Sequence, residues 1–243
     1  MYLCEGKMTM TDHNLWLADD WLELQRVCAG CQEHLTQEIL NMKYEIERNR
    51  HHTVLRNISG RLKTLDSIQN KLVRYGFEVS PQSACANLHD IVGIRIICSY
   101  LKDIEDVVEA LSNLPKFEVT EIKDYIAHPK PSGYRSLHVI GITTIEGIGI
   151  QCEIQLRTTA MDSWAALEHQ LRYKKELPDS TFVNQELLEC ATLLEQSDIK
   201  MQAIHDYIEI LNGWSRCDHI DEDQSSHQKW VSIHVPELKD PKQ

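Results

Sequence analysis

The chain has 243 residues, of which 42% are hydrophobic, which suits one sizeable globular domain with helical extensions. A formal net charge of −12 argues against strong nucleic-acid binding, and no apolar run approaches the roughly 18 residues of a membrane span. The N-terminus lacks a signal-peptide pattern and the eight cysteines are scattered, so we expect reduced thiols, a cytoplasmic location and no membrane partner.

Residues 14–47 are predicted to form a long helix, an N-terminal extension over residues 1–47, because apolar residues recur at spacings of three and four. Cys28 and Cys31 in "CAGC" have the spacing of a redox or metal pair, and His34 could add a zinc ligand. Both cysteines fall on the apolar stripe and no fourth ligand is evident. We therefore interpret them as core residues.

A basic segment follows in this acidic chain. Between residues 48 and 74 the only acid is Asp66, whereas the bases are Arg48, Arg50, Arg56, Arg61, Lys63, Lys71 and Arg74. Such a segment predicts a local polyanion site, and a solvated helix face is the alternative.

A loop is predicted at 52–60, followed by a helix at 65–75 that Thr64 can cap and Gly76 can end. Ser67, Lys71 and Arg74 share one face of this helix. A cationic surface beside a helix N-terminus suits phosphate oxygens.

The rest of the chain predicts a mixed sheet flanked by helices. Strands are predicted at 90–100, 116–125, 134–145 and 149–158, and helices at 103–114, 159–174 and 183–212. Glu146 and Gly147 form the turn of a hairpin, and Thr159 and Asp162 are placed like a capping box. The fold class is α/β (α+β), with helical extensions at both ends and a polar tail over residues 215–243.

Three charged residues stand out on these strands. Glu153 lies on the polar face of the strand 149–158, and Asp90 precedes an apolar strand, which makes them a possible magnesium pair. A solvent-facing surface and a turn are the alternatives for these two acids. Arg95 should reach an anion or a ring, because an unpaired buried guanidinium is costly. Asp90 and Arg95 differ in parity, so either Asp90 lies outside the pleat or Gly93 marks a bulge.

The segment "HPKPSGYRSLH", residues 128–138, holds more charged and aromatic groups than a turn needs. Its prolines and Gly133 fix a turn that leads into a strand. Lys130 offers a point charge for phosphate, and Tyr134 offers a ring on which a base can stack. A polar loop whose tyrosine packs on the core is the alternative.

Five segments in this order resemble the synthetase domain of the RelA/SpoT family: "GRLKTLDSIQNKLVR", "LHDIVGIRIICSY", "HPKPSGYRSLH", "CEIQLRT" and "WAALEHQLRYK". The resemblance covers about residues 48–175. It implies a nucleotidyltransferase-like fold and a stand-alone small alarmone synthetase, a GTP diphosphokinase of the stringent response. Such enzymes transfer pyrophosphate from ATP to the 3′-hydroxyl of GDP or GTP and release AMP. Transfer to an adenine nucleotide or a tRNA 3′ end, and a non-catalytic nucleotide sensor, are the alternatives.

The resemblance also implies a role for each candidate residue. On the ATP side, Arg61 and Arg95 match arginines that sandwich adenine, and the phosphate contacts are Lys63, Lys71 and Arg74, with Ser67 on the same helix face. Asp90 and Glu153 match acids that bind Mg²⁺, and Glu153 also matches the group that activates the acceptor hydroxyl. The GDP/GTP side comprises Lys130, Tyr134, His138 and Gln155.

Two features bear on preference and assembly. The segment "EIKD", residues 121–124, matches neither the acidic nor the basic signature of the family, so the preference between GDP and GTP stays open. The helical region 176–214 has apolar residues near heptad spacing. Since small synthetases of this family assemble as homotetramers through terminal helices, we expect a homotetramer, with intramolecular packing as the alternative.

Overall fold

The structure, a computed structural model, describes residues 21–48, 50–145, 148–172 and 180–213. Its five strands are β1 (Leu55–Leu62), β2 (Val92–Cys98), β3 (Phe117–Asp124), β4 (Leu137–Ile145) and β5 (Ile148–Thr158). Its helices are α1 (Trp21–Glu47), α2 (Leu65–Tyr75), α3 (Pro81–Asn87), α4 (Leu101–Ser112), α5 (Thr159–Arg172) and α6 (Ser180–Leu211).

The strands form one mixed sheet in the order β1-β2-β5-β4-β3. β2 and β5 pair in parallel, and the other neighbouring strands pair antiparallel. This arrangement confirms the predicted fold class. The antiparallel pairing of β4 with β5 also confirms the hairpin, although its turn at 146–147 lies outside the described residues.

One face of the sheet is apolar and is covered by α1 and α4. The predicted stripe of α1 is buried, namely Leu24, Cys28, Cys31, Leu35, Ile39 and Met42. Burial raises the pKa of Cys31 to about 11 and raises the pKa of Cys28 further, so both thiols stay protonated. The structure thus confirms that "CAGC" is core. Residues 14–20 of the predicted helix lie outside the described part.

The prediction of a loop at 52–60 is wrong, because this segment forms most of the edge strand β1. Leu55 is buried, but most of the following residues are exposed, so the strand lacks the alternation that reveals a half-buried strand. Gly60 marks a close approach of α1 to this strand. A Cβ there would lie 2.1 Å from Nε2 of Gln32.

Helix boundaries follow local capping chemistry. Thr64 accepts a hydrogen bond from the Ser67 backbone and caps α2, and Gly76 ends it at φ 74°, as predicted. The proposed capping box at the start of α5 is wrong. Thr158 accepts from the backbone N–H of Met161 at 3.2 Å, and Asp162 is engaged elsewhere. The short helix α3 was not predicted, although Ser80 caps it and Pro81 opens it.

The chain divides into two compact units, residues 1–198 and 199–243. Within the first unit, Leu187 and Ala191 of α6 form a small core with Trp164 of α5, and Tyr134 packs against it. No helix in the described ranges combines the length and apolar character that a membrane crossing requires. The predicted tail at 215–243 lies outside the described residues.

Candidate active site

The second face of the sheet is polar and carries most of the predicted site residues. Neighbouring strands align the following residues: Arg61 with Gly93, Gly93 with Glu153, Arg95 with Gln155, and Gln155 with His138. Residues paired across neighbouring strands share a face of the sheet. Four strands therefore present these side chains to one surface.

The pairing also settles the parity of Asp90 and Arg95. β2 pairs with β5 without a register shift from Val92 to Cys98, so Gly93 marks no bulge. Asp90 precedes the strand and lies outside its pleat. Of the two alternatives given by the sequence, a position of Asp90 outside the pleat is therefore correct, and a bulge at Gly93 is not.

Asp90 lies between two lysines from separate elements. Its Oδ2 accepts from Nζ of Lys63 at 2.5 Å, and its Oδ1 accepts from Nζ of Lys71 at 2.8 Å. Burial raises the pKa of Asp90, but the hydrogen bonds and charges of Lys63 and Lys71 outweigh burial and hold it below the usual 3.8. Asp90 is thus ionised at neutral pH, and both lysines are held beside it.

Three other residues predicted for ATP lie on β1 and α2. Arg61 is exposed on β1, and Arg74 is exposed near the end of α2, where its guanidinium lies 5.0 Å from the ring centroid of Tyr75. Ser67 lies in the first turn of α2 and accepts a hydrogen bond from the Thr64 hydroxyl at 2.8 Å. The structure therefore brings Lys63 and Lys71 to Asp90, and directs Arg61 and Arg74 toward solvent.

A closed ring of hydrogen bonds joins five side chains on β5, β4 and the preceding loop: Glu153, His138, Tyr134, Arg157 and Gln155. Arg157 donates to the Tyr134 hydroxyl and to Gln155 Oε1, both at 2.9 Å. Gln155 Nε2 donates to Glu153 Oε2 at 2.9 Å.

His138 completes this ring, with Nδ1 2.9 Å from Glu153 Oε1 and Nε2 2.9 Å from the Tyr134 hydroxyl oxygen. The Tyr134 oxygen already accepts from a guanidinium, so its proton points to Nε2 of His138. Nδ1–H then donates to Glu153. This assignment gives each of the five hydrogen bonds in the ring one donor and one acceptor.

Glu153 is the acid at the centre of this surface. Burial raises its pKa, but the hydrogen bonds that it accepts from His138 and Gln155 lower it overall, so the group is ionised at neutral pH. The charge of Asp90 acts in the opposite direction on the Glu153 pKa. Asp90 precedes Gly93 by three residues, and Gly93 pairs with Glu153 across β2 and β5, so one carboxylate lies just before β2 and the other on the neighbouring strand β5. Two neighbouring carboxylates offer the hard oxygen ligands that magnesium prefers, so the residues present fit this ion.

The loop before β4 is held on two sides. Lys130 Nζ lies 4.8 Å from the ring centroid of Tyr134 and 4.6 Å from that of Tyr125. Gly133 has φ 89°, and a Cβ there would lie 2.7 Å from Cβ of Ala191 on α6. Arg135 donates to the Ala191 carbonyl at 3.1 Å and pairs with Glu195 at 2.5 Å. The loop is therefore fixed against α6 and not only against the sheet.

Arg95 and two residues absent from the predicted site form one further cluster. The Asp162 carboxylate accepts from Nη1 of Arg157 at 3.0 Å and lies 3.4 Å from Nη1 of Arg95. Arg95 thus reaches an anion, as predicted. Alternation of polar residues along β5 was the available signal for Arg157, and nothing in the sequence distinguished Asp162 from a helix cap.

Comparison with known proteins places this site in a family. The region found in RelA/SpoT proteins matches residues 60–177. A GTP pyrophosphokinase of Bacillus subtilis, YwaC, is 34% identical over 201 residues, which cover 81% of this chain and 96% of that protein.

Solved structures agree in fold. The small alarmone synthetase 1 of Bacillus subtilis bound to its product pppGpp is 30% identical with a TM-score of 0.70, covering 77% of this chain and 97% of that one. The same enzyme bound to AMPCPP gives 27% identity and a TM-score of 0.65, covering 78% and 97%.

The lysine pairs predict how Asp90 affects stability. Asp90→Asn leaves two partly buried ammonium groups without a carboxylate, and we expect the free energy of unfolding at pH 7 to fall by about 1.5–3 kcal/mol. Because the folded-state pKa of Asp90 lies below its unfolded value, its contribution is complete above that value. The loss should therefore stay constant from pH 7 to about 5 and shrink as the pH falls through 3.8.

Urea unfolding across this pH range measures the difference between the two proteins. Glu78→Gln, which neutralises an exposed acid, is the matched control and should change stability by less than about 0.5 kcal/mol. Equal effects of the two substitutions would show that the lysine pairs contribute nothing.

Proposed function

Because the chain belongs to the RelA/SpoT family, we propose that it is a GTP diphosphokinase that makes ppGpp or pppGpp from ATP and GDP or GTP. In this reaction the 3′-oxygen of the guanine nucleotide forms a bond to the β-phosphorus of ATP. The bond from that phosphorus to the oxygen bridging the α-phosphorus breaks, and AMP leaves.

One observation carries the proposal: a cationic cluster and a carboxylate in the hydrogen-bonded ring that contains Tyr134 share a single sheet face. Lys63 and Lys71 approach this face from the β1 side, and Glu153 and Tyr134 approach it from the β4–β5 side. Phosphoryl-type transfer needs mainly positioning and charge compensation. This surface offers cations for the donor on one side and a fixed acid for the acceptor on the other.

On the donor side, Lys63 and Lys71 bind the ATP phosphates by exchanging the Asp90 carboxylate for phosphate oxygens. Ser67 and Arg74 extend this contact along α2. Arg61 and Arg95 hold the adenine between their planar guanidinium groups, which stack on aromatic faces. Their exposure leaves these planes accessible to a base.

On the acceptor side, the Tyr134 ring stacks on guanine and Lys130 binds the acceptor phosphates. Glu153 accepts the proton of the 3′-hydroxyl, since it is ionised at neutral pH and only partly exposed. His138 and Gln155 each donate to one of its oxygens and so fix the direction of the carboxylate.

We assign a magnesium site to Asp90 and Glu153, which supply the two neighbouring carboxylates. A bound Mg²⁺ neutralises charge on the transferring phosphates. The lysines beside Asp90 and the imidazole beside Glu153 keep both acids ionised and ready to bind a cation.

We also infer that the protein is a cytoplasmic homotetramer. The six described cysteines are free thiols, as is typical of a reducing compartment. Several apolar side chains of α6 are exposed, including Leu193, Met201, Ile204, Ile208, Ile210 and Leu211, and such a stripe favours helix association.

Light scattering of the purified full chain should give four times the 28.1 kDa of one chain. A monomer mass would contradict this assembly.

The reaction is tested by incubating the purified protein with magnesium, β-labelled ATP and one acceptor at a time. We expect labelled ppGpp from GDP and labelled pppGpp from GTP, with AMP in equal amount. Product from an adenine nucleotide or from tRNA instead would assign a different acceptor. The absence of any transfer would favour a nucleotide sensor.

Glu153→Gln tests the proposed base and metal ligand, because it keeps the shape of the side chain and removes its charge. We expect turnover to fall below detection while the thermal midpoint stays close to that of the parent protein. Circular dichroism melting confirms the fold of the variant. A near-normal rate would exclude Glu153 from both roles.

Tyr134 is tested with two substitutions that separate its ring from its hydroxyl. Tyr134→Ala removes the stacking surface and should weaken GDP binding by about 1–3 kcal/mol with little effect on ATP. Tyr134→Phe keeps the ring and should retain most of the GDP affinity. Calorimetric titration of each nucleotide distinguishes these results. Equal losses for both nucleotides would assign the ring to structure.

A further inference from the structure

Asp162 contacts a guanidinium from each side of the proposed active site. Its Oδ1 lies 3.0 Å from Nη1 of the acceptor-side Arg157 and 3.4 Å from Nη1 of the donor-side Arg95. One oxygen atom of one carboxylate is therefore shared by two cations. Asp162 lies in the first turn of α5, which packs on both β2 and β5.

The two cations differ in how firmly they are held. The side chain of Arg157 is 6% exposed and donates to Asp162, Tyr134 and Gln155. The side chain of Arg95 is 40% exposed, and its separation from Asp162 exceeds an ordinary charge-assisted hydrogen bond. Arg95 can therefore exchange Asp162 for another partner, whereas Arg157 has no comparable freedom.

We propose that Asp162 is a positioning residue that couples ATP binding to guanine-nucleotide binding, by dividing one carboxylate between Arg95 and Arg157. The proposal rests on the function proposed above. When Arg95 turns to the adenine of ATP, its guanidinium moves away from Asp162. The Asp162 carboxylate then pairs with Arg157 alone. Arg157 then holds the Tyr134 hydroxyl and Gln155 more firmly, so the acceptor side becomes better ordered. By linkage, the guanine nucleotide strengthens ATP binding by the same factor.

The coupling is measured by calorimetric titration of GDP into the full chain with magnesium, in the absence and in the presence of saturating AMPCPP. This analogue carries a methylene group in place of the oxygen that must leave, so no turnover disturbs the titration. For the parent protein we expect AMPCPP to tighten GDP binding by about fivefold or more. The thermal midpoint of each variant without nucleotide reports its folding.

Asp162→Asn keeps the size of the side chain but removes its charge, so AMPCPP should change GDP affinity less than about twofold, while each nucleotide alone still binds. Asp162→Glu restores the carboxylate and should recover part of the coupling. The matched control is Asp106→Asn, which also removes an ion-paired acid of similar exposure, from α4, where it pairs with Arg50 away from the polar face. This control should keep the coupling of the parent protein.

If Asp162→Asn does not fold, Arg157→Lys provides a second test of the coupling. A lysine at this position cannot donate to Asp162, Tyr134 and Gln155 at once. It should lose the coupling and keep AMPCPP affinity within about twofold. Parent-like coupling in the folded Asp162→Asn protein, or no coupling in an active parent protein, overturns the inference alone. A parent protein that binds neither nucleotide and forms no product overturns the proposed function and this inference with it.

Discussion

The parallel, in-register pairing of β2 with β5 is the constraint on which the whole site depends. It places Gly93 beside Glu153 and Arg95 beside Gln155, while the same two strands turn their apolar residues toward α1 and α4. Because the side-chain period of a strand is two, a slip of one residue would bury the polar row and expose the core row. The stability of the apolar face therefore fixes the positions of the polar residues on the opposite face.

Four cations of the polar face are already paired with acids. Lys63 and Lys71 share Asp90, and Arg95 and Arg157 share Asp162. Several unpaired cations held close together in a partly buried site would destabilise the fold by mutual repulsion and by loss of hydration. Pairing each cation with an acid reduces both effects. In the proposed function, the nucleotide takes the place of Asp90 beside the two lysines and of Asp162 beside Arg95. A site built in this way suits a small polyanion that reaches into the cluster more than an extended polyanion such as tRNA, which the acidic chain as a whole repels.

Much of this arrangement follows from the sequence, because apolar periodicity identifies helices and strands whose core side is continuous. α1, β2 and β5 are of this kind, and Glu153 lies on β5, where buried and partly exposed residues alternate clearly. β1 was not predicted because most residues of this edge strand are exposed, so its sequence lacks the alternation of apolar and polar residues that identifies a strand. The role of Asp162 was not predicted because one of its partners, Arg95 on β2, is distant in sequence, and such a contact leaves no local pattern. The resemblance to a family implied a role for each candidate residue, whereas only the structure reveals the hydrogen-bonded ring and the shared carboxylate.

The acceptor loop has two supports of different chemistry, and this explains its unusual composition. From the sheet, the Tyr134 hydroxyl joins the polar ring through His138 and Arg157. From α6, Arg135 bonds the Ala191 carbonyl, and Gly133 allows a backbone approach that any Cβ would prevent. Neither support alone fixes the plane of the tyrosine ring, since a hydroxyl contact leaves rotation about its axis and a backbone contact leaves the side-chain torsions. Together they hold the ring in place, and the exposed Lys130 keeps its Nζ 4.8 Å from the ring centroid, so an aromatic surface for a base and a point charge for phosphate lie side by side.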